Sequence, residues 1–160
     1  VLLDSAIAVG QKTGLAAPYY LARAQFFDRK GEYRKALPDY NQYDSLTHTV
    51  DPTFFYARYK CETKLRMWQQ ALLDIARTCY LAPKEPTYFA EWASLDLRVK
   101  RIDEGISAAK ACINLAPEYA DGYLLLGLLQ REKGQKQESI ENLKKAQELG
   151  DTRAEEYLKQ

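Results

Sequence analysis

The feature of this sequence that most constrains its fold is a repeat with a period of 34 or 35 residues. Large aromatic residues mark the period at Tyr20, Phe55, Phe89 and Tyr123. Very small residues follow the same steps at Ala36, Ala71, Gly105 and Ser139. Self-similarity at a fixed spacing is the signature of a repeat architecture, in which each unit packs on its neighbours. We therefore expect a row of similar units.

Each repeat is predicted to be a pair of helices. Apolar residues recur every three and four positions, which is the spacing of one face of an α-helix. Asp51 followed by Pro52 is typical of a helix start, because aspartate caps the first turn and proline is tolerated at the first helical position. The second helices are predicted to begin near Tyr33, Trp68, Ile102 and Lys136.

This pattern resembles the tetratricopeptide repeat (TPR), a helix–turn–helix unit of the same period. In the fourth repeat the resemblance lies in Tyr123, Leu126, Gly127, Ser139 and Leu143. It covers about residues 17–153, although Arg23 and Arg58 stand where a leucine is usual. The resemblance implies an all-α fold, a right-handed superhelical solenoid of antiparallel helix pairs.

The repeat boundaries predict one solenoid domain made of six segments. Residues 1–16 are interpreted as the second helix of a truncated preceding repeat, and residues 151–160 as a C-terminal capping helix. Between them lie repeat 1 at residues 17–51, repeat 2 at 52–85, repeat 3 at 86–119 and repeat 4 at 120–150.

Composition excludes several functional classes. With 23 Lys and Arg against 22 Asp and Glu, the net charge of +1 does not favour nucleic acid or membrane insertion. His48 is the single histidine and the three cysteines form no CxxC pair, so we expect no metal and no cofactor. The first residues lack the basic stretch of a signal peptide, and the sequence indicates no particular compartment.

No catalytic motif is present. The sequence contains no G-x-S-x-G, H-E-x-x-H, P-loop or G-x-G-x-x-G pattern. We therefore expect that this chain is not an enzyme.

By resemblance, the function is protein recognition in the concave groove lined by the first helix of each pair. The predicted peptide-binding positions are Gln25, Arg29, Tyr56, Lys60, Lys64, Ser94, Arg98, Leu124, Leu128 and Arg131. Arg29, Lys64 and Arg98 recur at one repeat position and predict a basic ladder that would favour an acidic peptide. Cations are also favoured at helix C-termini by the helix dipole, so the ladder has a purely structural interpretation as well.

Three functions remain open at this point. The first is a scaffold or adaptor that binds a peptide or partner helix in the groove. The second is a structural spacer, or a chain that self-associates through the open ends of the solenoid. The third is the regulatory or substrate-docking domain of a larger enzyme.

Overall fold

The structure is a computed structural model that describes residues 2–159. These residues form ten helices and no strand. The helices are α1 Leu2–Thr13, α2 Ala17–Arg29, α3 Tyr33–Thr47, α4 Pro52–Lys64, α5 Trp68–Leu81, α6 Pro86–Arg98, α7 Ile102–Leu115, α8 Ala120–Glu132, α9 Lys136–Glu148 and α10 Arg153–Leu158. Val1 and Gln160, the outermost residues of the predicted first and last segments, lie outside the described residues.

The predicted helix starts agree with the structure. The second helices α3, α5, α7 and α9 begin at Tyr33, Trp68, Ile102 and Lys136. At the start of α4, the Asp51 carboxylate accepts a hydrogen bond of 2.8 Å from the backbone N–H of Thr53. This bond satisfies one of the backbone donors that a helix leaves open at its first turn.

The chain divides into two compact units, residues 1–74 (unit 1) and residues 75–160 (unit 2). The boundary falls within α5. Within unit 1, α2 packs along α3, and within unit 2 the pairs α6–α7 and α8–α9 do the same.

Aromatic side chains build the core of unit 1. Tyr40, Tyr43 and Phe55 surround Phe54, with ring centroids 5.1–5.7 Å from its own. Two of these three contacts are edge-to-face, the geometry that aromatic pairs prefer. These four rings therefore serve packing within unit 1.

The two arginines at the usual leucine positions are held by carboxylates. Arg23 donates two hydrogen bonds of 2.7 Å to Asp39 and a third of 2.6 Å to Asp4. Each arginine lies in a first helix, and its bidentate aspartate lies sixteen residues later in the second helix. A paired, bidentate geometry is what allows an arginine to replace an apolar side chain at a packed position.

Small residues allow close helix contact in unit 2. A Cβ added at Gly127 would lie 2.8 Å from Leu143 Cγ and 3.1 Å from the carbonyl oxygen of Ser139. The Ser139 hydroxyl donates a 2.7 Å hydrogen bond to the Gly127 carbonyl, which ties α9 to α8. Gly127 and Ser139 therefore allow the close approach of α8 and α9.

The turn between the helices of each pair passes through one left-handed residue. This residue is Gly31, Arg66, Lys100 or Gly134, with φ of 74°, 59°, 63° and 83°. The residue after it donates a backbone hydrogen bond to the carbonyl five residues earlier, as from Met67 to Glu62 at 2.9 Å. This is the Schellman arrangement, which glycine adopts most easily.

Candidate functional site

The predicted site residues of unit 1 lie on the sides of α2 and α4 that face away from the core. Gln25, Arg29, Lys60 and Lys64 are exposed, and Tyr56 is half-buried. They alternate with buried residues of the same helices, such as Ala24 and Phe55. We call these five predicted residues the first-helix surface of unit 1.

Tyr56 is held in place by its neighbours on α4. Its ring stacks on the ring of Tyr59 with centroids 5.8 Å apart and planes at 21°. The Lys60 ammonium lies 4.9 Å from the Tyr56 ring centroid, within the range of a cation–π contact. An aromatic ring and a cation therefore lie together on this surface.

In unit 2 the predicted residues differ in exposure. Arg98 at the end of α6 is exposed, whereas Ser94 and Leu128 are half-buried. We call Ser94, Arg98, Leu128 and Arg131 the first-helix surface of unit 2.

Leu124 is a core residue and is not available for a ligand. Its side chain is 4% exposed and packs in a cluster with Leu143, Ala146 and Ala154. Ala154 belongs to α10, so the helix that follows repeat 4 covers this position. The prediction of an accessible Leu124 was wrong because position in the repeat does not reveal which residues a neighbouring helix covers.

Arg131 is also engaged by α10. Its guanidinium donates a hydrogen bond to the carbonyl oxygen of Tyr157 and lies 5.7 Å from the centroid of that ring. Tyr157 continues the aromatic series, 34 residues after Tyr123. The first-helix surface of unit 2 is thus partly covered by α10.

Asp96 is a buried carboxylate that sequence reasoning missed. It is 0% exposed, and neither of its two carboxylate oxygens accepts a hydrogen bond from the residues that the structure describes. Arg101 Nε lies 3.4 Å from its Oδ1. Burial raises the pKa of Asp96 to about 6, against the opposing effect of Arg101. The available signal was its place in the repeat, where Glu62 and Gln130 are also buried polar residues.

Residues 2–159 contain no candidate metal cluster and no candidate membrane span. No group of three or more His, Cys, Asp or Glu side chains within this range could hold a metal ion. None of the helices in this range is long and apolar enough to cross a membrane. Cys61, Cys79 and Cys112 are buried free thiols.

Comparison with known proteins identifies the repeat and the fold. Residues 120–149 match the tetratricopeptide repeat family model. The crystal structure of YrrB, described as a TPR protein with an unusual peptide-binding site, covers 98% of this chain and 83% of its own, with a TM-score of 0.83 and 21% identity. No curated protein sequence matches significantly.

Two further solved structures share the fold. MamA, residues 41 to the end, from Desulfovibrio magneticus RS-1 aligns over 89% of this chain and 81% of its own, with a TM-score of 0.79 and 23% identity. The Arabidopsis OM64 TPR domain aligns over 68% and 91%, with a TM-score of 0.64 and 15% identity. The predicted resemblance is therefore confirmed: residues 120–149 are a tetratricopeptide repeat, and the all-α fold is that of tetratricopeptide-repeat proteins.

Proposed function

We propose that this chain is a non-catalytic scaffold or adaptor that binds a peptide or partner helix along its first helices. The observation that carries the proposal is the exposure of Gln25, Arg29, Lys60 and Lys64 on the first helices of unit 1. Exposed polar side chains at recurring positions of a rigid repeat scaffold give a partner a regular set of contacts. The peptide-binding site for which YrrB is described supports the proposal by analogy of fold.

The charges on this surface favour an acidic partner. Arg29, Lys60 and Lys64 supply three cations on two helices, and Tyr56 supplies an aromatic contact beside them. Charge-assisted hydrogen bonds to carboxylates are stronger than neutral ones, and tyrosine adds apolar area with a polar tip.

The test is affinity capture from a host lysate, read by mass spectrometry, with three versions of the chain. The wild type runs beside a first-helix variant, Lys60→Glu with Arg98→Glu, and beside a matched control, Lys110→Glu. Lys110 is an exposed lysine on the second helix α7. All three must show the same helical circular dichroism.

We expect a partner that the wild type and the Lys110→Glu control retain and that the first-helix variant loses. The purified partner should then bind the wild type in calorimetry with an affinity that falls at high salt, because exposed ion pairs are screened. Equal retention by all three versions would contradict the proposed surface. Self-association of the wild type without any captured partner would instead favour the spacer function.

A further inference from the structure

The carboxylates of unit 1 are almost all engaged inside the unit. Residues 1–74 contain eight of them, at Asp4, Asp28, Glu32, Asp39, Asp44, Asp51, Glu62 and Asp74. Arg23 and Arg58 together bind four, and Tyr40 donates a 3.1 Å hydrogen bond to Asp28. Glu62 is buried. Asp4 stays exposed on the surface of this unit although it is paired with Arg23.

The remaining carboxylates are engaged as well. Glu32 forms an ion pair of 2.5 Å with Lys35, and Asp51 caps α4. These acidic groups of unit 1 therefore contact the backbone, the two arginines, Lys35 and Tyr40 of the same unit.

Five exposed cations lie at or beside the turns that connect α2 to α3 and α4 to α5. This turn patch consists of Arg29, Lys30, Arg34, Lys64 and Arg66. Within the part of the chain that the structure describes, none of the five forms an ion pair. A cluster of unneutralised cations raises the local positive potential even when the net charge of the molecule is close to zero.

The two turns that supply the patch are adjacent in space. Cys61 near the end of α4 donates from Sγ to the backbone carbonyl of Tyr33 at the start of α3, at 3.3 Å. Arg34 follows Tyr33 directly, and Lys64 lies one helical turn beyond Cys61. The two turns that carry these cations thus lie at the same edge of unit 1.

Arg66 occupies a backbone position that suits glycine better. Its φ is 59°, and the equivalent residues in repeats 1 and 4 are Gly31 and Gly134. A side chain in the left-handed region is strained, and such strain is typical of functional positions. The strained residue here carries one of the exposed cations.

Unit 2 provides the contrast. Lys100 stands at the same turn position with φ of 63°, yet it pairs with Glu132 at 2.5 Å. Lys133 in the next turn pairs with Asp103 at 2.7 Å. These turn cations of unit 2 form ion pairs within the unit, whereas the five cations of the turn patch do not, although Lys30 helps to lower the pKa of the Glu32 carboxyl.

We infer that the turn patch of unit 1 is a docking surface for an acidic protein segment rich in Asp and Glu. The inference goes beyond the proposed function, because Lys30, Arg34 and Arg66 lie outside the first helices and only Arg29 and Lys64 are shared. Guanidinium and ammonium groups bind carboxylates through charge-assisted hydrogen bonds.

The neighbouring aromatic rings favour protein over single-stranded nucleic acid. Lys30 Nζ lies 4.5 Å from the Phe26 ring centroid, and Lys35 Nζ lies 5.5 Å from that of Phe27. Proteins that bind single strands stack bases on open aromatic faces. Here ammonium groups of the same unit already lie over these rings.

The test measures binding of a fluorescein-labelled Glu/Asp-rich peptide by fluorescence anisotropy at low salt. The control peptide has the same length with Gln and Asn in place of Glu and Asp. The key variant is Arg66→Gly, which removes one cation and relieves the strained backbone. Its matched control is Lys100→Gly, the same change at the same turn position of unit 2. A stronger variant is Lys30→Glu with Arg34→Glu.

We expect Arg66→Gly to weaken the binding of the acidic peptide by about fivefold, while the melting temperature of the protein stays the same or rises. Lys30→Glu with Arg34→Glu should weaken it by at least about tenfold, since both changes reverse a charge. Lys100→Gly should leave binding unchanged, and the neutral peptide should not bind.

Several results would overturn the inference. These are equal weakening by Arg66→Gly and Lys100→Gly, equal binding of both peptides, or no binding of the acidic peptide. Tighter binding of a single-stranded oligonucleotide of matched charge would assign the patch to nucleic acid. If the lysate partner depends on Lys60 and Arg98 while the turn variants bind the acidic peptide normally, the proposed function stands and the turn patch does not.

Discussion

Arg58 and Asp74 are joined by two hydrogen bonds, from Nε to Oδ2 at 2.6 Å and from Nη2 to Oδ1 at 3.0 Å. Their side chains are only 8% and 3% exposed. Arg58 also donates to Asp44 at 2.9 Å and lies 5.2 Å from the ring centroid of Phe54. A charged, hydrogen-bonded cluster therefore replaces the apolar contact that a leucine makes at this position of a tetratricopeptide repeat.

Replacing Arg58 by leucine should destabilise the protein by about 3–5 kcal/mol, because Asp74 would remain buried without its cation. Urea denaturation followed by circular dichroism measures this change. The double variant Arg58→Leu with Asp74→Leu should recover most of the loss, since both charges are then absent. A double variant as unstable as the single one would show that shape, and not charge, controls this position.

Replacing Gly127 by leucine should destabilise unit 2 by about 1–3 kcal/mol through overpacking. Even the Cβ of the new side chain would lie 2.8 Å from Leu143 Cγ. The measurement is the melting temperature, compared with that of the control variant Gly134→Ala. No atom lies within 4 Å of a Cβ added at Gly134, although the φ of this residue is 83°. An unchanged melting temperature for Gly127→Leu would contradict the close contact of α8 with α9.

The Asp96 carboxyl should make stability fall as the pH rises. Its folded-state pKa of about 6 lies above the value of the unfolded chain, so its contribution is fully present below about pH 4 and is lost as the pH passes through 6. Arg101 and Glu104 are the charged groups that act on it.

We expect the unfolding free energy of the wild type, relative to Asp96→Asn, to drop by up to about 2 kcal/mol between pH 4 and 7. Urea titrations of both proteins at several pH values measure the difference between their unfolding free energies. The other carboxylates are common to both proteins, so their effects cancel in this difference. A difference that does not vary with pH would mean that Asp96 has an ordinary pKa.

The three cysteines should be unreactive in the folded protein. Burial raises the pKa of Cys61 and Cys79 to about 12 and that of Cys112 to about 11. The thiolate is the reactive form, so labelling by a maleimide at pH 7 should be at least about tenfold slower than in urea. Mass spectrometry counts the labels; rapid native labelling of any cysteine would contradict its burial.

The fold follows from the sequence because its signals are periodic. The aromatic and small residues recur once per repeat, and Asp51 and Pro52 mark a helix start by their own chemistry. Such local signals set where α4 begins and where the second helices α3, α5, α7 and α9 begin.

The partners of buried charges were harder to predict. Arg23 and Arg58 were recognised as unusual, but their pairing with Asp39 and Asp74 depends on which helix faces meet. The signal was the identical spacing of sixteen residues in both pairs. Asp96 was missed because the repeat pattern identifies buried positions mainly through apolar residues.

The candidate site was only partly predictable. Gln25, Arg29 and Lys64 are exposed at their repeat positions, because the opposite helix faces are apolar. It gave the wrong exposure for Leu124, which α10 covers through Ala154. Whether a side chain at an end repeat is accessible depends on the next helix, and repeat position alone carries no information about that packing.

The hydrogen bonds of Arg58 reach Asp44 in α3 and Asp74 in α5 from its own place in α4. Repeat arrays tend to fray one unit at a time from an end, because each unit contacts only its nearest neighbours. A guanidinium shared by three consecutive helices opposes such fraying, since detaching any one of them separates a buried charge from its counterion. The backbone amides of α3, α4 and the first half of α5 should therefore exchange with solvent as one cooperative block.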